Sequence, residues 1–286
     1  MAVRSVFVSK TEYPFFEEIP VEFDWFGGFA LSQKRKCQIG LHQNFLAQYP
    51  QEKVLEISSS SLLRLGNDLS AMNLHKRTSR GVTSVESAFQ SSRIYKDSTQ
   101  TRGPFPEYLF LSGKECKQLV KSASNGLISY EYLFDNTRFF APAHHISLFY
   151  DFLYLTALME SENKPVTDQL ITNGYTAFTD LATKSLNCQA RSAAMFVGLT
   201  KAGLNNKLKS IESYLTLFRT NPDGSPVGPE AYENVPLLHK GKLQLLTEMI
   251  PCTFSRDCVE QYYHKYCSAL SNKKSKDNYL DLQLSA

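Results

Sequence analysis

The chain has 286 residues, 42% of them hydrophobic, enough to bury a core as one large domain or as one domain with a helical extension. Its 31 basic and 28 acidic residues leave a formal net charge of +3, which excludes a surface-wide basic field and confines any nucleic-acid contact to a local patch. The opening MAVRSVFVSKTEYPFF meets charge and proline too early for a secretory segment, and LFYDFLYLTALM is interrupted by Asp151 and too short to span a bilayer. A soluble, cytoplasmic protein without membrane contact is expected.

In chain order, VRSVFVS and VEFDWF alternate apolar and polar residues on either side of a segment containing Pro14, and KVLEISS at 53–59 does the same, so three strands are expected. Between the second and third, LSQKRKCQIGLHQNFLAQY has helical spacing, with Ser32 placed to cap it and Pro50 just past its end. Helices then dominate, expected near 84–96, 112–123, 145–159, 185–202, 206–219, 238–249 and 256–270, with Gly203 following the 185–202 helix as a stop signal. TNPDGSPVGPEAYENVP at 220–236 is a turn-rich connector. The predicted organisation is a domain over 1–219, the connector, and a helical extension over 237–286 with a fraying polar tail. The mixture gives a helix-rich α+β fold with its strands gathered near the N-terminus.

Cysteines at 37, 116, 188, 252, 258 and 267 form no C-x-x-C pair and have no accompanying histidine cluster, so buried, reduced thiols are expected and no metal or cofactor is signalled. The adjacent His144 and His145 point different ways on a helix or a strand and make a poor chelating pair.

The stretch GVTSVESAFQSSRIY, from Gly81 to Tyr95, is the most informative. On a helix beginning near Ser84, the residues Val85, Ala88, Phe89 and Tyr95 face a core, while Glu86, Gln90 and Arg93 stack at i, i+4 and i+7 on a separate stripe. That stripe offers an acid, an amide and a cation to one ligand. Thr83 and Glu86 also have the spacing of a capping box, in which the glutamate reaches back to the cap residue's N–H. Both roles for Glu86 stand at this level.

VESAFQSSR resembles the signature of the NADAR family, where a glutamate, a glutamine four residues on and commonly a lysine three beyond lie on one helix. In the same order, GNDLSAMNL at 66–74 resembles the loop before that helix, HISLFYDFLYLTAL at 145–158 the aromatic middle helix, and AFTDLATKSLNCQARSAAMF at 177–196 the aspartate loop and the helix after it. With VEFDWFGGFALSQKRK near the start, the chain is similar to the NADAR antitoxins that accompany guanine-specific DarT toxins, over residues 3 to 215. The resemblance implies a YbiA-like NADAR fold and an N-glycosidase that removes ADP-ribose from guanine bases in DNA. It also implies a cognate toxin as partner, and related proteins act on phosphorylated ribosides.

Such a cleavage develops positive charge at the anomeric carbon, which a fixed carboxylate stabilises. Glu86 and Asp180 fall on the matching positions for that work. Ser70 and Asn73 in the 66–74 loop, together with Gln90, are expected to hold ribose and pyrophosphate, and Phe149 and Phe152 to pack on a base. Of Asn187, Gln189 and Arg191, which alternate too finely to share one helical face, Asn187 is placed first, from its position after the aspartate loop. Each has a plainer alternative: Asp180 as a turn residue and the aromatic run at 149–154 as core.

Arg93 stands where family members commonly have lysine. A lysine can lose its proton and trap a ring-opened sugar as a Schiff base, whereas arginine stays charged and grips phosphate. Lys76 and Lys96 lie nearby in sequence. Met72 replaces the aromatic often seen in the 66–74 loop, and Phe152 stands where related antitoxins tend to have tryptophan. Three functions are consistent with the sequence: an ADP-ribosyl hydrolase using Glu86, Asp180 and Arg93; a protein that binds ADP-ribose or ADP-ribosylated DNA without turnover; and an interaction protein whose C-terminal helices dock a toxin or a second copy.

Overall fold

Alternating apolar residues near the N-terminus pair as a hairpin, in which β1 (Ala2–Ser9) runs antiparallel to β2 (Phe16–Phe23) with Phe7 opposite Glu18. The computed structural model describes residues 1–28, 30–96, 100–125, 129, 131–140, 147–182, 188–210, 213–214 and 217. The connector at 220–236, the extension at 237–286, His144, His145 and Asn187 lie outside the described residues. Those described fall into two compact units, Met1–Val85 with Tyr150–Leu217, and Glu86–Phe149.

In the first unit, α1 (Leu31–Gln48) presents Cys37, Leu41 and Phe45 at four-residue intervals to Val6, Val8, Val21 and Phe23, which form one buried cluster. Its cap is Ala30, which makes no side-chain hydrogen bond, and Ser32 lies one turn position inside the helix rather than at its start. The third expected strand shrinks to β3 (Val54–Glu56), which runs parallel to β10 (Ala177–Thr179), giving a sheet of order β2-β1-β10-β3. Around it lie α2 (Arg64–Asp68), the hairpin of β4 (His75–Thr78) and β5 (Gly81–Ser84), most of α5 (Leu148–Leu158), α6 (Lys164–Thr172) and α7 (Gln189–Lys201). The buried face of α7 is made of small and apolar residues, among them Ala190, Ala193, Ala194 and Val197, and it packs on β1. After Gly203, residues Asn205–Lys209 wind as a 3-10 turn, so the helix expected over 206–219 does not begin at 206; Ser213 and Tyr214 are helical, and 211–212, 215–216 and 218–219 lie outside the described residues.

The second unit carries the largest departure from expectation. The helix predicted over 84–96 is α3 (Val85–Ser91), and the chain then extends as β6 (Arg93–Lys96). Ile94 and Tyr95 suit a strand, and β6 is drawn out of the helix by pairing with β8 (Glu131–Phe134), with Arg93 opposite Tyr132. Together with β7 (Thr101–Arg102) and β9 (Thr137–Phe140) they form a sheet of order β7-β6-β8-β9. The β8–β9 turn places Asp135 and Asn136 at φ 45° and 63°, the left-handed pair of a tight hairpin. α4 (Gly113–Ser124) starts at a reciprocal capping box between Ser112 and Glu115 and buries Cys116 and Val120 against Tyr95 and Phe105. The architecture is mixed α and β, with ten strands in three sheets among the described residues, so the strands are spread along the chain rather than gathered at its N-terminus.

Candidate functional site

Glu86 and Gln90 lie one turn apart on α3, both buried, and their side chains meet: Gln90 Nε2 donates to Glu86 Oε1 at 3.0 Å. Arg93 is no longer on their helix, yet the first residue of β6 is close enough that its Nη1 donates to Gln90 Oε1 at 3.2 Å. The amide therefore relays from guanidinium to carboxylate, using its carbonyl toward one and its NH2 toward the other. Phe89 and Tyr95 lie under the Arg93 guanidinium at 5.6 and 5.1 Å, and its Nε is buried with no hydrogen-bond partner. A fourth member comes from α4, where Lys117 Nζ sits 3.2 Å from Glu86 Oε1. Thr83, whose spacing to Glu86 also fits a capping box, is a strand residue opposite Lys76, and the Glu86 carboxyl meets Gln90 and Lys117.

In the first unit, the C-terminal ends of the parallel strands β3 and β10 bring Glu56 level with Thr179, directly before Asp180. Thr179 Oγ1 donates to Glu56 Oε2 at 2.5 Å and the Leu181 N–H donates to Glu56 Oε1 at 3.1 Å, so one buried carboxyl grips the residues on both sides of Asp180. Burial, reinforced by the neighbouring Asp180 carboxylate, pushes Glu56 up to about 7. His42 Nε2 lies 2.8 Å from Thr179 Oγ1, and burial holds that imidazole down at about 4, so it is neutral at physiological pH.

The 66–74 loop is built against this strand end. A Cβ at Gly66 would stand 2.0 Å from the Glu56 carbonyl oxygen, so only glycine allows α2 to approach β3. Gln189 then staples the loop, accepting from the Ala71 N–H at 2.8 Å and donating to the Ile57 carbonyl at 2.7 Å. Tyr154 on α5 donates its hydroxyl to the Leu69 carbonyl at 2.7 Å. Asn73 is exposed and closes on Asn67 through bonds of 2.8 and 2.9 Å, whereas the Ser70 hydroxyl is buried without a partner.

Phe149 is fully buried in the second unit, with Tyr132 and Phe139 both at 4.6 Å, which leaves its faces to other rings. Phe152, in the first unit, is half-buried against Tyr214 at 5.3 Å. Lys76 is buried in an ion pair with Glu160. Asp151 forms another, accepting from Arg191 Nη2 at 3.0 Å and from Ser192 Oγ at 2.6 Å, which locks α5 to α7.

Sequence reasoning missed Glu56 and Lys117, and it placed Gln189 behind Asn187. An acid flanked by Leu55 and Ile57 on a strand is a detectable signal for the first. Nothing local marks Lys117, which reaches Glu86 from a helix that begins well downstream in sequence. Among the described residues, no three or more His, Cys, Asp or Glu side chains gather as a metal-holding group, and no helix is long and apolar enough to cross a membrane. A family model described as DarT1-associated NADAR antitoxin matches residues 2–226. No curated protein matches the chain.

Proposed function

The chain belongs to the family of DarT1-associated NADAR antitoxins, and from that premise we propose that it is an N-glycosidase which removes ADP-ribose from guanine bases in DNA. It would thereby reverse the mark left by a DarT-type ADP-ribosyltransferase toxin. The observation that carries this proposal is the buried Glu86 carboxylate, fixed by Gln90 and Lys117 and linked through Gln90 to Arg93.

Cleavage breaks the bond between the anomeric carbon of the ribose and a guanine nitrogen. The bonding pair leaves with the base, which takes up a proton, and water supplies the hydroxyl that completes free ADP-ribose. Positive charge on the sugar peaks during this step, and a carboxylate that is already desolvated and oriented stabilises it without reorganising. Arg93 has an unused buried Nε–H and a permanent charge, which suit a phosphate oxygen of the diphosphate. Lys117 places an ammonium beside the same carboxylate, where it holds Glu86 in position and offers a second cation to a ligand oxygen. In the first unit, Glu56 holds Thr179 and Leu181 and so positions Asp180, to which we assign the second carboxylate role. The unpartnered Ser70 hydroxyl is assigned to the sugar or diphosphate, with Asn73 at the exposed end of the same loop.

Glu86→Gln keeps the size of the side chain and removes its charge. It is expected to lower ADP-ribose release by at least about a hundredfold while leaving the circular dichroism spectrum unchanged. Unchanged release from a folded variant would remove Glu86 from the chemistry. A second reading, binding without turnover, is favoured by Arg93 itself, held by two rings and Gln90 and unable to act as an amine. It predicts that Arg93→Lys switches release on.

A further inference from the structure

Trp25 and Phe26, directly after β2, are 45% and 41% exposed, and the glycosidase chemistry makes no use of them. Neither ring dangles. The Phe26 N–H donates to Cys37 Sγ at 3.2 Å, pinning the segment to α1, and Trp25 meets Phe23 edge-on at 6.1 Å. Each ring also has a cation beside it, the Arg4 guanidinium 5.1 Å from the Trp25 centroid and Lys36 Nζ 5.7 Å from that of Phe26. Lys34 and Arg35 continue the charge along α1, whose first turn carries no acidic residue, and the exposed acids of the same stretch are Glu22 and Asp24. Arg4 Nε donates further to the Leu181 carbonyl at 3.2 Å, so the aromatic pair is tied to the loop that carries Asp180.

Exposed, immobilised rings interleaved with lysines are what a surface for unpaired nucleotides requires, because every base has a face to stack and every link a charge to neutralise. A base-paired duplex hides those faces. We propose that Trp25, Phe26, Lys34 and Lys36 form a platform for single-stranded DNA beside the modified guanine, the rings stacking on bases and the lysines meeting phosphates. The choice of DNA rests on the glycosidase function proposed above. The surface explains how a chain with a net charge of only +3 would engage a polyanion, through a local patch.

Trp25 is the sole tryptophan of the chain, so its emission reports on the platform alone. The full chain is titrated with an unmodified single-stranded oligodeoxynucleotide of about twelve nucleotides, long enough for one such site. The probe carries no ADP-ribose, so the outcome does not depend on whether the chain is a glycosidase. Saturable quenching of Trp25 is expected, with affinity falling roughly twentyfold between 50 and 200 mM salt if about three phosphates are met. The duplex of the same sequence is expected to bind at least about tenfold more weakly, as is the single strand to Lys34→Glu/Lys36→Glu and, by anisotropy of a labelled strand, to Trp25→Ala/Phe26→Ala. Four results would each overturn the platform: no binding, binding without any change in Trp25 emission, equal binding of the duplex, or tighter binding of RNA. Quenching by a DarT toxin protein but not by DNA would reassign the surface to protein docking.

Discussion

Replacing Glu56 by glutamine should stabilise the protein increasingly as the pH rises from about 5 to 8, and not below that range. The buried carboxyl is raised from 4.5 to about 7, which corresponds to about 3 kcal/mol. Below pH 4.5 folded and unfolded chains both hold the proton, and the group is neutral to stability. Between 4.5 and 7 the folded chain keeps a proton that the unfolded chain has released, so stability falls as pH rises, and above about 7 the whole of that ~3 kcal/mol is lost. Glutamine carries no charge to desolvate. Its carbonyl can accept the Leu181 N–H that now reaches Oε1, and its NH2 can donate to Thr179 Oγ1, 2.5 Å from Oε2 in the parent. Thr179 would then turn its hydroxyl hydrogen to the neutral His42 ring nitrogen 2.8 Å away. That rearrangement costs about 1 kcal/mol. Urea unfolding should therefore show Glu56→Gln near parity or slightly weaker at pH 5 and about 2 kcal/mol stronger at pH 8. An equal effect at both values, or a loss confined to pH 8, would mean that Glu56 is folded in as an anion and would refute the assignment.

Asp151→Ala strands the Arg191 guanidinium and the Ser192 hydroxyl in the packed layer between α5 and α7, and should cost about 3–5 kcal/mol in a denaturant melt. Gly66→Ala puts a methyl group 2.0 Å from the Glu56 carbonyl oxygen, so the loss should exceed about 3 kcal/mol and be read as poor expression or a lowered Tm. Lys117→Met takes the ammonium from the buried Glu86 carboxylate and should cost about 1–3 kcal/mol, read as a lowered Tm in a protein still folded at the assay temperature. ADP-ribose release should fall at least about tenfold, and release at the parent rate would leave Lys117 a surface partner of Glu86.

Local pattern carried some elements and failed at others for a definable reason. VRSVFVS and the run from Leu31 to Gln48 satisfy their own periods, and both appear where the spacing puts them. Residues 92–96 do not. Val85, Ala88, Phe89 and Tyr95 fit one helical face, and what ends the helix is a strand nearly forty residues downstream, whose pairing with Arg93 and Ile94 no local rule registers. The same holds for the acid at the end of β3, read only as part of a strand because its partner Thr179 lies more than a hundred residues away. Glu86, Gln90 and Arg93 were legible as a set, but by a different route: the expected stripe on one helix is, in the structure, a relay from helix to strand. Family resemblance supplied the chemistry, and the spacing alone left Glu86 open between a cap and a catalytic acid.

The most direct test of that chemistry is to incubate the full chain with single-stranded DNA bearing ADP-ribosylated guanine and to follow, in one assay, free ADP-ribose and DNA retained on the protein. Release that Glu86→Gln abolishes is the predicted result. Retention of the modified strand with no ADP-ribose set free would contradict it, and would make this member of the family a protein that sequesters the mark instead of removing it.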